Sequence, residues 1–373
     1  MDKFEKLLSP LGYGGIELRN HIIFAPTTMG LREKEYIQRI GSIASGGAAL
    51  VIIGDVPVRK SRFVPSLQTK KGFNLYEKLN EAIHEGGARS CAQLHEDDTV
   101  MKGMSKYMWK MVTGKMGMAE LMEAMNVEIS RMISTMPEEE VHSITSAFAD
   151  AAELSIKAGF DMVQVHGDRM CGAFSSTVFN VRDDIYGGSV ENRARFAVDS
   201  VKAIRKRFPS LPIDYKLCMR EEDPHYGNAG ITLEEAEVFV PLLEKAGVTS
   251  FHVTLANHSA LENTIPSRQH PYYSEEGCFL KFADKVKSLT DLPVCGVGGL
   301  TDPEFMESQL ESGRVDAVAM SRALIADPEL PNKLRDGKED TIRRCCRCNR
   351  ECLGGLMHHR GVGCIYDRKE GKR

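Results

Sequence analysis

The C-terminal end of the chain contains a cluster of cysteines. Ten cysteines occur in the 373 residues. Five of them are scattered singly, and the other five are Cys345, Cys346, Cys348, Cys352 and Cys364. The opening residues, MDKFEKLLSP, lack the basic and apolar regions of a signal peptide, so we expect reduced thiols. Clustered reduced cysteines favour a metal site over disulfide bonds.

Polar residues and glycines that directly follow short apolar runs form a second set of candidates. Two glycines at 298–299 follow one run, and Ser321 with Arg322 follows the next. Backbone N–H groups and an arginine at such places bind phosphate in many α/β barrels, and a simple turn is the alternative for the glycines. The other residues of the set are Pro26, Thr27, Thr28, Gly54, Gln93, His166, Asp168, Arg169, Lys216 and His258.

Eight apolar or β-branched runs precede these residues and alternate with amphipathic stretches. The helical candidates include residues 137–157, 190–207 and 233–245. Eight strand-then-helix units predict a parallel sheet closed as a (β/α)8 TIM barrel, which is an α/β fold, with an open doubly wound sheet as the competing architecture. The predicted strands are 21–25, 49–53, 90–94, 161–165, 213–217, 250–254, 293–297 and 316–320.

The composition predicts a soluble protein and not a nucleic-acid or membrane protein. Hydrophobic residues make up 42% of the chain and the formal net charge is −4. Such a charge gives no reason to expect nucleic acid or an anionic membrane as a partner. No apolar run is long enough for an ordinary membrane span, so we expect a cytoplasmic protein.

The segment 101–136 interrupts the alternation of strands and helices. It is rich in methionine and contains the single tryptophan, Trp109. A helical excursion packed on the barrel is one interpretation, because methionine fills irregular gaps. An adaptable lid over a bulky apolar substrate is the other.

Several motifs together resemble the Old Yellow Enzyme family of FMN barrels. The longest match is NVRDDIYGGSVENR at residues 180–193. Within the family, the chain is most similar to the iron–sulfur branch that includes 2,4-dienoyl-CoA reductase and trimethylamine dehydrogenase. The other matching motifs are APT at 25–27, QL at 93–94, GVGG at 296–299 and MSRALIADP at 320–328.

The resemblance implies that FMN lies across the strand ends. Gln93 would bond the pyrimidine edge of the flavin, and Lys216 would stabilise negative charge on the reduced ring. The phosphate would lie at Gly298, Gly299, Ser321 and Arg322. The remaining expected contacts to the isoalloxazine ring are Ala25, Pro26, Thr27 and Gly54.

The cysteine spacing is similar to the family's site for a 4Fe-4S cluster. Cys345, Cys348, Cys352 and Cys364 form the pattern C-x2-C-x3-C-x11-C, with Cys346 as a spare. Thiolates are the soft ligands that such a cluster requires, and structural zinc is the alternative. We therefore expect an FMN-binding barrel at 1–340, with 101–136 inserted, and a cluster-binding segment at 341–373.

The segment after the fourth predicted strand departs from the family pattern. Relatives carry a second carbonyl ligand and a proton-donating tyrosine here, whereas this chain has Arg169 and Cys171 after His166. Arginine suits a carboxylate or carbonyl oxygen. A thiol is a poorer fixed donor than a phenol. His258 is similar in position to a functional histidine of dienoyl-CoA reductase, so Cys171 and His258 are both candidate proton donors.

These observations favour an enzyme that reduces an activated C=C bond of an apolar enone or enoate. His166 and Arg169 would hold the carbonyl or carboxylate. Electrons would come from NAD(P)H or from an FAD- and NAD-binding reductase domain or subunit. An amine dehydrogenase or demethylase of the same family, and an electron-transfer subunit with a vestigial substrate site, are the alternatives. A homo-oligomer is compatible with the sequence.

Overall fold

Eight parallel strands close into a barrel in the computed structural model of the chain, which describes residues 3–61, 64–96, 107, 110, 113–223, 225–256 and 261–369. Every strand that the sequence predicts is present, because each apolar run forms one strand of the barrel wall. The (β/α)8 TIM barrel is therefore confirmed. The strands follow one another around it as β3 (Ile22–Phe24), β4 (Leu50–Pro57), β5 (Arg89–His95), β6 (Met162–His166), β7 (Ile213–Met219), β10 (Ser250–Leu255), β11 (Val294–Val297) and β12 (Ala317–Met320).

Helices surround the barrel, and their apolar faces pack on the outside of the strands. The three helical candidates are observed as Glu138–Lys157, Val190–Arg207 and Ala236–Ala246. Ser189 caps the N-terminus of the helix Val190–Arg207 by accepting a hydrogen bond from the backbone N–H of Asn192. The other helices are Glu5–Leu8, Glu33–Ser45, Lys70–Glu85, Met118–Thr135, Arg169–Ser175, Leu261–Thr264, Leu280–Lys287, Pro303–Glu311, Arg322–Ala326, Leu330–Arg335, Glu339–Thr341 (3₁₀), Leu353–Met357 and Ile365–Lys369.

Two antiparallel hairpins lie outside the barrel sheet. The first pairs β1 (Leu11–Tyr13) with β2 (Ile16–Leu18), and the second pairs β8 (Glu221–Glu222) with β9 (His225–Tyr226). Tyr13 of the first hairpin is fully buried and packs with inward-facing residues of the barrel. This hairpin therefore closes one end of the barrel and leaves the other end for a ligand.

Part of the methionine-rich segment forms the helix Met118–Thr135. Ile129 and Ile133 of this helix are buried in the main core. Trp109 and most of residues 97–112 lie outside the described residues, so the lid interpretation stays a prediction. Within the described ranges, no helix is long and apolar enough to cross a membrane.

The C-terminal segment is fastened to the barrel by a buried arginine. Arg347 is 1% exposed, and its guanidinium donates to the carbonyl oxygens of Tyr273 at 2.6 Å, Ser274 at 2.9 Å and Glu275 at 2.7 Å. It also donates to the carbonyl oxygen of Pro266. A buried arginine is tolerated only when its N–H groups are bonded in this way. Whether 341–373 is a separate domain stays a prediction.

We expect Arg347→Met to destabilise the fold by about 3 kcal/mol or more, because it leaves several buried carbonyl oxygens without a donor. Urea unfolding measures the change. Arg344→Met is the matched control, since Arg344 is exposed and pairs with Asp302 at 3.3 Å. The Arg344→Met substitution should lower the free energy of unfolding by about 1 kcal/mol or less. Equal losses for the two variants would contradict the anchoring role.

Candidate functional site

A cavity of about 270 Å³ opens at the carboxyl ends of the barrel strands. Residues that lie in or directly after all eight strands line it, as expected for the ligand end of such a barrel. All ten positions for which the sequence predicts contact with FMN lie on this wall. They are Ala25, Pro26, Thr27, Gly54, Gln93, Lys216, Gly298, Gly299, Ser321 and Arg322.

The predicted phosphate end of the cavity is shaped by glycines. Gly298 and Gly299 have φ of 118° and 64°. A Cβ on Gly298 would lie 2.6 Å from the ring of Phe279, and one on Gly299 would lie 2.7 Å from the guanidinium of Arg347. Only glycine fits these positions, because a side chain would collide with Phe279 or Arg347, and both glycines line the cavity. The loop therefore fits an FMN phosphate.

Arg322 extends from this phosphate end towards the C-terminal cysteines. Its Nη1 donates to the Oδ1 of Asn349 at 2.7 Å and to the carbonyl oxygen of Pro266 at 2.9 Å. Arg322 and Cys352 both line the large cavity and a second, smaller one that the cysteines surround. The two predicted cofactor sites are therefore adjacent.

At the predicted pyrimidine end, Gln93 and Lys216 supply the polar groups. The Nε2 of Gln93 donates to the Oε1 of Gln164 at 2.6 Å. Lys216 is in register with His166 on one side and His252 on the other. An amide and a cation on adjoining walls fit the polar edge of a flavin.

The cavity wall also carries the residues expected to bind substrate. His166 and Arg169 both line it, together with Asp168, which belongs to the same set of sequence candidates. Arg169 begins a helix with φ of 45°. A non-glycine residue in the left-handed region is uncommon and occurs often at functional sites.

Asp55 is a residue that the sequence interpretation missed. It lines the cavity with φ of 55°, at an irregularity in the register of β4 between Ile53 and Val56. Thr28 donates a hydrogen bond to its carboxylate. Burial raises the pKa of Asp55, but the charges of His95, Arg169 and Lys216 outweigh burial, so its pKa lies below the usual 3.8. The carboxylate is therefore ionised beside the cations of the cavity.

Of the two candidate proton donors, the structure describes only Cys171. Cys171 is 2% exposed and lies in the helix Arg169–Ser175, away from the cavity wall. Burial holds the pKa of its thiol well above the usual range. The structure therefore does not bring Cys171 to the site. His258 lies outside the described residues.

His252 also lines the cavity and was missed by sequence reasoning. It is fully buried, and neither ring nitrogen has a hydrogen-bond partner among the described residues. Burial first, and then the charge of Lys216, lowers the pKa of His252 to about 3. The imidazole is therefore neutral. Its place in the predicted strand 250–254, whose alternate residues face the barrel interior, was the available signal.

The cysteine cluster surrounds the small second cavity. Cys345, Cys348, Cys352 and Cys364 line it together with Cys346, and none of the ten cysteines forms a disulfide. Among the described residues, no three metal-binding side chains converge as an assembled metal site. Free thiols around one cavity still have the donor chemistry that an iron–sulfur cluster or zinc requires.

Known proteins resemble this chain over nearly its whole length. Residues 6–341 match the NADH:flavin oxidoreductase / NADH oxidase family. The chain is 56% identical to a bilirubin reductase of Clostridium symbiosum (strain WAL-14163) over 98% of its own length and 99% of that protein. It is 33% identical to a bilirubin reductase of Mediterraneibacter gnavus (strain CC55_001C), of which it spans 57%. A solved 2-naphthoyl-CoA reductase complex shares the fold with a TM-score of 0.78 and 22% identity, over 97% of this chain and 56% of that one.

We expect Asp55→Asn to lower the free energy of unfolding at pH 7. A carboxyl whose folded pKa is lowered contributes stability above its unfolded pKa and loses it as pH falls through the folded value. The difference in the free energy of unfolding between wild type and Asp55→Asn should therefore be largest near pH 7 and shrink below about pH 3.8. Urea unfolding at several pH values measures this difference. Asp183→Asn, at an exposed carboxylate, is the control. A difference that does not vary with pH would contradict the pairing of Asp55 with the cavity cations.

Proposed function

The chain belongs to the NADH:flavin oxidoreductase / NADH oxidase family, and on that premise we propose that it reduces a conjugated C=C bond of bilirubin or a related open-chain tetrapyrrole. Its membership of the family makes it a flavin-dependent oxidoreductase. One observation supports this substrate. The chain is 56% identical to a protein named bilirubin reductase and covers 99% of the length of that protein. The cavity at the strand ends, with an arginine on one wall, is compatible with such a substrate.

FMN is the cofactor that we assign to this cavity. Gln93 and Lys216 would hold the pyrimidine edge, and the backbone at Gly298 and Gly299 would receive the phosphate with Ser321 and Arg322. When bound, FMN supplies the hydride for one carbon of the double bond. The glycine loop, whose positions exclude a Cβ, supports this placement.

Arg169 and His166 are the residues that we assign to substrate binding. Bilirubin carries lactam carbonyl groups conjugated to its double bonds and two propionate groups. A guanidinium donates two parallel hydrogen bonds to a carboxylate and also polarises a carbonyl oxygen. Asp55 balances the positive charge that Arg169 and Lys216 bring to the cavity. An amine dehydrogenase would bind a cation, which Arg169 opposes.

Reduction of the double bond also requires a proton and a source of electrons. The proton adds to the carbon that does not receive the hydride. We propose His258 for this step, because imidazole exchanges protons near neutral pH and Cys171 does not reach the cavity. The electrons would come from NAD(P)H or, through the iron–sulfur cluster, from a partner flavoprotein.

We further propose that Cys345, Cys348, Cys352 and Cys364 hold a 4Fe-4S cluster. The cavity that these cysteines line supports the assignment, and it shares Cys352 and Arg322 with the flavin cavity. A cluster at this position would be close enough to exchange electrons with the flavin. Cys346 lines the same cavity but lies outside the C-x2-C-x3-C-x11-C spacing, and we leave it out of the ligand set.

We expect Arg169→Met to lower kcat/KM for bilirubin by roughly a hundredfold, because the variant loses a charge-assisted contact to the substrate. The FMN content should not change. Arg169→Lys is the matched control, because lysine keeps the positive charge but lacks the planar guanidinium. Its kcat/KM should lie between those of wild type and Arg169→Met. Steady-state kinetics under anaerobic conditions give the values. An Arg169→Met enzyme with wild-type kcat/KM would contradict this role.

We expect Cys348→Ser to lose the cluster, because serine does not replace a thiolate towards iron. Wild-type protein purified without oxygen should contain about four iron atoms per chain. Cys346→Ser is the matched control and should keep its iron. Iron and zinc are measured on the same samples. Zinc in place of iron, or equal metal loss in both variants, would contradict the assignment.

A further inference from the structure

Four polar side chains form a continuous hydrogen-bonded row inside the barrel. Gln93, Gln164, Asp214 and Ser250 lie at matching register positions of β5, β6, β7 and β10. Neighbouring strands therefore place the side chains next to one another on the inner face. Gln93 donates to Gln164 at 2.6 Å, and the Nε2 of Gln164 donates to the Oδ2 of Asp214 at 2.5 Å.

The other carboxylate oxygen of Asp214 is bonded from two directions. The hydroxyl of Ser250 donates to Oδ1 at 2.6 Å. The hydroxyl of Tyr13, from the hairpin that closes the barrel, donates to the same oxygen at 2.9 Å. Asp214 thus accepts three hydrogen bonds, and only the one from Gln164 leads on to Gln93.

Only one member of the row reaches the flavin cavity. Gln93 lines the cavity, whereas Gln164, Asp214 and Ser250 are fully buried behind its wall. An ionised carboxylate in a barrel interior is costly even when it is hydrogen-bonded. A well-packed apolar residue would stabilise the barrel at least as well, so stability alone does not account for Asp214.

The row has a fixed direction because a carboxylate only accepts hydrogen bonds. Asp214 requires the NH₂ group of Gln164 to face it, which turns the Oε1 of Gln164 towards β5. That oxygen requires the NH₂ group of Gln93 to face it in turn. The amide of Gln93 is therefore held in one of its two flipped orientations. Its oxygen and its second N–H take defined places at the cavity.

We propose that Asp214, acting through Gln164, is a positioning residue that fixes the amide of Gln93 in the orientation that recognises the pyrimidine edge of FMN. The inference rests on the proposed function, because it needs FMN in the cavity. The pyrimidine edge alternates carbonyl oxygens with one N–H group. An amide that can flip freely presents the matching arrangement only part of the time, whereas the fixed amide presents it always.

The surroundings of Asp214 set the conditions for a test. Burial raises the pKa of Asp214 to about 6, and its hydrogen bonds and the charge of Lys216 oppose this effect. The other titratable groups that interact with it are Tyr13, Cys91 and Cys295, whose pKa values burial holds well above their usual range. At pH 8 the carboxylate is ionised and these three groups are neutral, so measurements at that pH keep the row in one direction.

The first experiment interrupts the row without touching the cavity. Gln164→Met keeps the length of the side chain and removes both hydrogen bonds of the amide. We expect the affinity of the flavin-depleted full chain for FMN, measured by quenching of flavin fluorescence at pH 8, to fall about tenfold. Tyr13→Phe is the matched control, since it removes a bond to the same carboxylate outside the row. It should change the affinity by less than about twofold.

A double-mutant cycle separates positioning from general loosening of the barrel. If Gln164 acts through Gln93, Gln164→Met should weaken FMN binding no further once Gln93→Met is present. The inference would be overturned if Gln164→Met weakened FMN binding as much in the Gln93→Met variant as it does in wild type. It would also be overturned if the single Gln164→Met variant bound FMN with wild-type affinity. If Gln164→Met does not fold, Asp214→Asn replaces it in the same cycle, because an asparagine accepts either orientation of the Gln164 amide and should also weaken binding.

The cycle also distinguishes failure of this inference from failure of the proposed function. A wild-type chain that binds no FMN would contradict the proposed function, and the inference would fall with it. A wild-type chain that binds FMN while Gln164→Met binds it equally well would contradict only the role of Asp214.

Discussion

Closure of the parallel sheet is the constraint on which the rest of the molecule depends. When β3 pairs with β12, the eight strand ends meet around one opening, and residues far apart in sequence become neighbours. Thr27, after the first barrel strand, donates to Ser321, after the last, at 2.7 Å. The flavin site that we propose, its substrate wall and its boundary with the cysteines all follow from this closure.

Charge is distributed unevenly inside this barrel. Lys216, Arg169 and Arg322 bring positive charge to the cavity, where a flavin phosphate, a reduced flavin ring and substrate carboxylates would all carry negative charge. Asp55 offsets part of the positive charge at the wall. Asp214 lies behind the wall, bonded to Gln164. The two carboxylates thus act on the site from different distances, one directly and one through a row of amides.

Much of this arrangement could be predicted from the sequence, because strand residues repeat with a period of two and active-site groups follow barrel strands. The eight strands came from these rules, and the ten cavity positions came from the rules together with the family resemblance. Asp55 could not be predicted, since it reaches the cavity through a register irregularity. Cys171 was misplaced because a helix begins at Arg169 and turns the thiol into the core. The row at Asp214 depends on the register between strands, which a single sequence does not reveal.

The most direct test of the proposed function is a single-turnover measurement without oxygen. The purified chain, reduced with dithionite and freed of excess reductant, is mixed with bilirubin while the spectra of flavin and bilirubin are recorded. We predict that the absorbance of oxidised flavin returns as bilirubin is consumed, in a fixed ratio of flavin oxidised to double bonds reduced. A flavin that stays reduced beside unchanged bilirubin would contradict the account.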